Sequence, residues 1–217
     1  MLTINNFNEI SEKDIENIKI AIFDIDGTIS NHEIIYYIIK NTFSYFNVKS
    51  KRMPQLGKEK FNIEWLNNEL KIEIPIAEKI ITYYESQFYI TDHNKFIKNV
   101  YSDVIPFFKR LHERNIFIGF FTLRQIDLAL VQIKKMGLLE YVYVNNSIKE
   151  NEGLQISGSD MTDKSFTPLN EKINQLKYHH NHLLNFENTD FLVIGDSLET
   201  DIYAAKRMKF KHCLIQR

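Results

Sequence analysis

The sequence predicts an α/β fold, with a Rossmann-like parallel sheet as its core and a helical segment inserted after the first strand. Short apolar runs of strand length alternate with amphipathic helical patterns from residue 103 onward. Residues 31–100 instead carry helical patterns and no comparable strand. Strands that are separated by helices of this length are joined by crossovers and form parallel sheets.

The predicted sheet has five strands, each a short apolar run. The first is residues 19–23, and the others follow the inserted segment at residues 116–121, 141–144, 191–194 and 212–215. Helices are expected before the second strand and between the later ones, with one beginning at Pro168 and another at residues 200–208. The polar stretch at residues 145–166 is expected to be a long loop or a small hairpin.

The inserted segment contains three stretches in which apolar residues recur every three or four positions. These are HEIIYYIIKNTFSYF, FNIEWLNNEL and IAEKIITYYESQFY, and Pro54 and Pro75 punctuate them. The pattern predicts a helical domain at residues 31–100 and a core made of residues 1–30 and 101–217.

The composition is that of a soluble globular protein. The 217 residues carry a formal net charge of −1, which gives no electrostatic basis for binding nucleic acid or an anionic membrane. Cys213 is the single cysteine, so an internal disulfide framework and a cysteine-built zinc site are excluded. The polar N-terminal stretch lacks the apolar run of a signal peptide, and a cytoplasmic location is therefore expected.

Polar residues follow the first predicted strand directly, in the order Asp24-Ile25-Asp26-Gly27-Thr28. Two carboxylates at i and i+2 lie on one side of an extended backbone, where they repel each other unless a cation lies between them. Mg²⁺, which prefers oxygen ligands, is the expected cation. Gly27 permits a turn, and Thr28 offers a hydroxyl and begins a loop whose free N–H groups suit a phosphate. A simple Asp-Gly turn is the alternative for such a motif on its own.

Two other predicted strands also end in polar residues. Thr122 is followed by Leu123 and Arg124, and its hydroxyl can donate to a phosphate oxygen or cap the helix that follows. Asp196 is expected to meet the metal, and Asp201 lies in the first turn of the next helix, where an acid can also act by stabilising the helix dipole. Ligands in open α/β sheets bind at the carboxyl ends of strands, so the site is expected there.

Taken together, these motifs resemble those of the haloacid dehalogenase superfamily, and of its phosphatase branch in particular. FDIDGT is similar to the first family motif, DxDxT, and GDSLETD to the fourth, GDxxxxD. Thr122 at the end of the strand IGFF is similar to the second motif. The resemblance covers most of residues 19–30 and 101–217, and the insert at residues 31–100 has the position of a type 1 helical cap.

The resemblance implies a phosphomonoester hydrolase that uses Mg²⁺. Asp24 would be the nucleophile that forms an aspartyl-phosphate, and Asp26 would be the general acid and then the base. The metal residues would be Asp24, Asp26 through its backbone carbonyl, Asp196 and Asp201. The implied substrate-binding residues are Gly27, Thr28, Thr122, Leu123, Arg124 and Lys164.

The family's third motif is a lysine, often followed by proline, and no Lys-Pro pair occurs in this sequence. Lys164, just before the predicted helix at Pro168, is assigned as the lysine that binds the phosphate. Lys172 and Lys149 are the alternatives, and Lys172 falls within that helix.

The substrate implied by the resemblance is a small phosphorylated metabolite, such as phosphoglycolate, a sugar phosphate or a nucleotide. We expect a monomer or a homodimer, with no nucleic acid or membrane partner. Asp26 argues against dehalogenation, because the dehalogenase branch does not use a second Asp at that position. A phosphotransferase or phosphomutase of the same superfamily, and a non-catalytic regulatory protein that keeps the fold, stay open as alternatives.

Overall fold

The computed structural model of the protein describes residues 2–56, 59–122, 124–142, 156–158 and 186–217. Its core is a sheet of six strands in which every pairing is parallel. The strands are β1 (Leu2–Ile4), β2 (Ile20–Phe23), β3 (Phe117–Thr122), β4 (Ile156–Gly158), β5 (Phe191–Gly195) and β6 (Lys211–Ile215). Their order is β1-β6-β5-β2-β3-β4, so β2 lies between β5 and β3.

Helices connect and cover the strands. They are α1 (Glu12–Ile15), α2 (Glu33–Tyr45), α3 (Ile63–Leu70), α4 (Ile74–Ile90), α5 (His93–Ile97), α6 (Val104–Glu113), α7 (Ile126–Lys135), α8 (Leu139–Val142) and α9 (Tyr203–Arg207). A π-helical turn at Leu198–Ile202 precedes α9, and short 3-10 helices lie at Phe7–Glu9 and Asn188–Asp190. The predicted α/β class with a parallel sheet is confirmed.

The central strands are apolar on both sides because helices cover both faces of the sheet. Successive side chains of a strand point to opposite faces, and β2 accordingly divides its residues between two buried clusters. Ala21 and Phe23 belong to the larger cluster, which continues into the helices of the insert, whereas Ile20 and Ile22 belong to the smaller one, which is covered by α9.

The prediction of a strand at residues 141–144 is wrong for residues 141 and 142. Tyr141 and Val142 lie in α8, and with Leu138 they form a buried stripe at helical spacing. A short apolar run fits either element when judged by its pattern alone. The strand next to β3 is instead β4, which lies in the stretch predicted to be a loop or a small hairpin. The helix predicted at Pro168 lies outside the described residues.

Strand β1 was not predicted from the sequence. It pairs with β6, with Leu2 opposite Cys213 and Ile4 opposite Ile215. Three residues are too few to reveal a period of two, so its strand character follows from this pairing. None of the helices in the described part of the chain combines the length and the apolar character that crossing a bilayer requires.

The chain leaves the core after β2 and returns before α6 at adjacent points. Ser30 forms an antiparallel bridge with Val100. Asn31 donates its backbone N–H to the Asn99 carbonyl at 3.0 Å, and Tyr101 donates to the Ile29 carbonyl at 3.1 Å. This pairing, which we call the neck, holds both ends of the inserted helices next to the loop that follows β2.

Candidate active site

The loop after β2 is a tight turn held by its own backbone. Gly27 has a φ of +95°, a conformation that glycine adopts without the steric cost of a side chain. The N–H of Gly27 donates to the Ser30 carbonyl at 2.6 Å, and the amides of Ile29 and Ser30 both donate to the Ile25 carbonyl. The expectation of free N–H groups in this loop is therefore wrong for these three amides.

Three carboxylates meet at the carboxyl ends of β2 and β5. Asp24, Asp196 and Asp201 each place an oxygen within 4.8 Å of the others, and Asp24 and Asp201 are buried. Asp201 is held in place, because its carboxylate accepts hydrogen bonds from the Ser197 N–H at 3.1 Å and from the Thr200 hydroxyl at 3.3 Å.

Two glycines make this close approach possible. A Cβ atom at Gly27 would overlap the Asp196 carboxylate, and one at Gly195 would overlap Asp201. Three carboxylates this close repel one another, and a divalent cation offsets that repulsion while using them as hard oxygen ligands. The donor set therefore fits a divalent metal ion.

The Asp26 side chain is directed to a different set of partners, on and before α7. One carboxylate oxygen lies 2.6 Å from Nη2 of Arg124, and the other accepts a hydrogen bond from Nε2 of Gln132 at 2.8 Å. Burial acts to raise the pKa of Asp26, but the Arg124 charge and these hydrogen bonds outweigh it and hold the pKa below its usual range. The ligand role predicted for Asp26 concerns its backbone carbonyl and stays a prediction.

Arg124 connects this carboxylate to the inserted helices. Its Nη1 donates to the Tyr84 hydroxyl at 3.3 Å, and its guanidinium lies 4.5 Å from the centre of the Phe88 ring. Both aromatic residues are buried residues of α4. Burial would lower the pKa of Arg124, but its ion pair with Asp26 raises it instead.

Gln132, Tyr84 and Phe88 were missed as site residues by sequence reasoning. Gln132 carried a usable signal, because it is the polar member of the buried stripe of α7. A fully buried amide calls for a hydrogen-bonding partner. Which partner it finds depends on how α7 packs against the loop after β2, and the sequence does not specify that packing.

The predicted phosphate-binding residues are only partly described. Thr122 ends β3, is 4% exposed, and accepts the N–H of Arg124 on its hydroxyl oxygen at 3.2 Å. Thr28 is fully buried, and its carbonyl accepts a hydrogen bond from Nε of Arg217 at 3.0 Å. Leu123 and the three lysines considered, Lys149, Lys164 and Lys172, lie outside the described residues.

Arg217 belongs to a second buried ion pair, which sequence analysis also missed. Its guanidinium binds both carboxylate oxygens of Asp103 at 2.9 and 3.1 Å, and the two side chains are 8% and 7% exposed. Asp103 also accepts the N–H of Phe7 at 2.6 Å, and the guanidinium lies 4.0 Å from the centre of the Tyr101 ring. The pair thus connects the loop after β2 with the return strand of the neck.

A comparison with protein families identifies the chain. The model of the haloacid dehalogenase-like hydrolase family matches residues 21–215. The protein belongs to this family. The match extends from β2 through β6, so it includes all the carboxylates described above.

Several solved structures share the fold at low identity. A haloacid dehalogenase-like hydrolase of Streptococcus pneumoniae has a TM-score of 0.63 and 15% identity, over 93% of this chain and 86% of that one. The HAD-hydrolase candidate YfnB of Bacillus subtilis, bound to magnesium, has a TM-score of 0.61 and 15% identity, over 91% of this chain and 88% of that one. CbbY of Rhodobacter sphaeroides, in complex with phosphate, has a TM-score of 0.61 and 12% identity, over 92% of this chain and 87% of that one. A search of curated proteins gives no match.

Proposed function

We propose that the protein is a Mg²⁺-dependent phosphomonoester hydrolase that acts on a small phosphorylated metabolite. The observation that carries the proposal is the cluster of Asp24, Asp196 and Asp201, with Asp26 two residues from the proposed nucleophile. Family membership supports it, as do the magnesium bound by YfnB and the phosphate bound by CbbY.

The proposed metal residues are the three clustered aspartates, with the Asp26 backbone carbonyl as a further ligand. A Mg²⁺ ion held there would neutralise charge between the attacking carboxylate and the phosphate. Asp24 fits the role of nucleophile because it follows the central strand and is 7% exposed, so few competing waters surround it.

The proposed reaction has two steps. A carboxylate oxygen of Asp24 attacks phosphorus, the bond from phosphorus to the ester oxygen breaks, and Asp26 gives that oxygen its proton. Water then attacks the phosphorus of the aspartyl-phosphate and gives a proton to Asp26. The bond from phosphorus to Asp24 breaks, and inorganic phosphate leaves. Thr122 and Lys164 are proposed to hold the non-reacting phosphate oxygens.

We also propose that residues 31–100 form a helical cap on a core made of residues 1–30 and 101–217. The neck supports this division, because both ends of the insert cross at one place. The contacts of Tyr84 and Phe88 with Arg124 support it as well, since they bring α4 against the site. A cap in this position would exclude water and contact the variable part of the substrate.

The test is hydrolysis of p-nitrophenyl phosphate and of a panel of natural phosphate esters, with Mg²⁺ and with EDTA. We expect hydrolysis that requires the metal, and a loss in kcat of at least about 10³-fold in Asp24→Asn. Asp127→Asn, at an exposed aspartate in the first turn of α7, is the matched control. Metal-independent turnover, no turnover on any ester, or a nearly normal Asp24→Asn variant would refute the proposal.

A further inference from the structure

We infer that Gln132 and Arg124 are positioning residues for Asp26, and that Tyr84 and Phe88 hold Arg124, so that the docking of α4 on α7 determines where the Asp26 carboxylate lies. The inference rests on the proposed function, because it concerns how Asp26 reaches the leaving oxygen. It assigns roles to a glutamine and two aromatic residues that no sequence motif marks.

The first step of the argument is that both oxygens of Asp26 are held. Arg124 binds one at 2.6 Å and Gln132 donates to the other at 2.8 Å. A carboxylate with a single partner can rotate about its terminal bonds, whereas one held at each oxygen has its plane fixed. These two contacts therefore set the direction in which the Asp26 carboxylate faces.

The second step concerns Gln132. In the described part of the chain, only its hydrogen bond to Asp26 explains why a polar side chain occupies this buried position. Gln132 is fully buried in α7, between apolar neighbours such as Leu128 and Ile133. A leucine would suit that stripe better, because a buried amide is unfavourable unless it is hydrogen-bonded. Among the described residues its Oε1 has no partner, and its Nε2 donates to Asp26. The glutamine is thus placed for that one contact.

The third step concerns Arg124, whose charge is engaged by Asp26 and by α4. Its side chain is 11% exposed, with the Tyr84 hydroxyl 3.3 Å from Nη1 and the Phe88 ring beside the guanidinium. In this arrangement Arg124 positions an acid–base residue.

The two contacts of Asp26 differ in what they depend on. Gln132 is fixed in α7, and its position requires only that helix. Arg124 is held from the insert, so a displacement of α4 would remove Tyr84 and Phe88 from it and loosen one of the two contacts. The position of the inserted helices is therefore coupled to the position of Asp26 through Arg124.

The test compares two esters that differ in their need for a proton on the leaving oxygen. p-Nitrophenol leaves as a stable anion, whereas an alkyl alcohol must be protonated, and a positioned acid contributes about 10²–10⁴-fold to such a step. The parameter is kcat/KM, which covers the steps through formation of the phosphoenzyme. The alkyl ester is the one that the wild type hydrolyses best in the panel above.

We expect Gln132→Leu to lower kcat/KM for the alkyl ester by about 10–100-fold and for p-nitrophenyl phosphate by less than about 5-fold. Tyr84→Phe should also lower kcat/KM for the alkyl ester relative to kcat/KM for p-nitrophenyl phosphate, by a smaller factor. Gln125→Leu, at an exposed glutamine next to α7, and Tyr89→Phe, at an exposed tyrosine of α4, are the matched controls. Gln132→Met is the second variant if Gln132→Leu folds poorly.

An equal loss on both esters, or a rise in KM alone, would overturn the inference and assign these residues to substrate binding or to folding. The proposed function fails separately, through an inactive wild type or an active Asp24→Asn variant, and the inference falls with it. A further outcome is that the wild type and Asp24→Asn behave as the proposed function requires while Gln132→Leu keeps the wild-type ratio of kcat/KM for the two esters. In that case only the positioning role is refuted.

A second readout needs neither turnover nor metal. Thermal unfolding of Asp26→Ala, Gln132→Leu and the double variant forms a double-mutant cycle. If Gln132 contributes to stability mainly through its hydrogen bond to Asp26, Gln132→Leu should lower the melting temperature less in the Asp26→Ala protein than in the wild type. The shifts in melting temperature should then depart from additivity by roughly 2–4 °C. Additive shifts would contradict the contact.

Discussion

We propose that the Thr122 hydroxyl group contacts both Arg124 and the substrate. Its oxygen accepts the Arg124 N–H at 3.2 Å, and its proton stays available to donate to a phosphate oxygen. We predict that Thr122→Ala lowers kcat/KM by about 10–100-fold, the loss of one hydrogen bond to a charged group. Thr122→Ser should recover most of this. Steady-state kinetics of the wild type and the two variants test this prediction. If Thr122→Ser has a kcat/KM as low as that of Thr122→Ala, the hydroxyl group does not bind the phosphate.

Cys213 is a fully buried residue of β6, and its burial raises the pKa of the thiol to about 12. The folded state therefore favours the neutral thiol, whereas the unfolded chain ionises near its ordinary value of 9.0. The stability from this group is present below pH 9 and is lost as the pH rises from about 9 towards 12.

Denaturant titrations at several pH values give the corresponding measurement for Cys213. Above pH 9 we expect the free energy of unfolding to fall more steeply for the wild type than for Cys213→Ala, by at most about 1.4 kcal/mol per pH unit. Equal slopes for the two proteins would contradict it. The same burial predicts that thiol reagents do not modify the folded protein at neutral pH.

The carboxylates of the site could be found from the sequence, whereas their partners could not. Asp24, Asp196 and Asp201 each follow an apolar strand or begin the helix after it, and the ends of neighbouring parallel strands converge. The pairing of Asp26 with Gln132 joins residues that are 106 positions apart. It depends on how α7 rotates about its axis, which a helical pattern alone does not set.

At the scale of elements, Lys135 of α7 ties the last turn of α4 to the core. Its amine donates to the carbonyl of Tyr89 at 2.7 Å and also to that of Thr91. The last carbonyls of a helix lack intrahelical donors and carry partial negative charge, so a cation there is favourable. The lysine thus caps a helix of the insert from outside it.

Replacing Lys135 by methionine should lower the free energy of unfolding by about 1–2 kcal/mol, since the charged donor of these carbonyls is lost. Lys134→Met, at an exposed lysine of the same helix, should change it by no more than about 0.5 kcal/mol. Chemical denaturation of both variants tests this, and equal stability of the two would show that the cap contributes nothing.

The elements that the sequence predicted well are those with a long, one-sided pattern. Helix α6 is an example, with its buried stripe of Val104, Phe107, Phe108 and Leu111. Strand β4 could not be predicted, because it is three residues long and its neighbour β3 supplies the hydrogen bonds that define it. Tyr141 was misassigned for a related reason, since a short apolar run has no period of its own.

At the scale of the whole molecule, the Arg217–Asp103 pair joins three distant parts of the chain. It is almost fully buried. Arg217 follows β6, Asp103 is the N-cap of α6, and the Thr28 carbonyl that Arg217 also contacts lies in the loop after β2. Removing one partner of such a pair leaves an uncompensated buried charge. Arg217→Met should therefore lower the free energy of unfolding by about 3–5 kcal/mol.

Two comparisons make the prediction for Arg217 specific. Lys206→Met, at an exposed lysine of α9, should be nearly neutral. Adding Asp103→Asn to Arg217→Met should recover part of the loss, because the unpaired charge is removed. If the double variant is less stable than Arg217→Met, the loss must come from packing and not from the charge.

The sequence predicted a parallel α/β sheet, but it did not give the order of the strands or the edge strand. Apolar runs separated by helices require crossovers and so predict parallel pairing. Placing β1 beside β6 brings together residues more than two hundred positions apart, such as Leu2 and Cys213. No local pattern distinguishes that partner from the other strands.

The neck has a consequence for how such a protein can change over evolutionary time. Because the outgoing and returning strands are hydrogen-bonded side by side at Ser30 and Val100, the insert is attached to the sheet as a hairpin loop would be. A shorter, longer or unrelated segment could be exchanged there without altering the register of any strand. Selection could then change the insert while the carboxylates at the ends of β2 and β5 stay where they are.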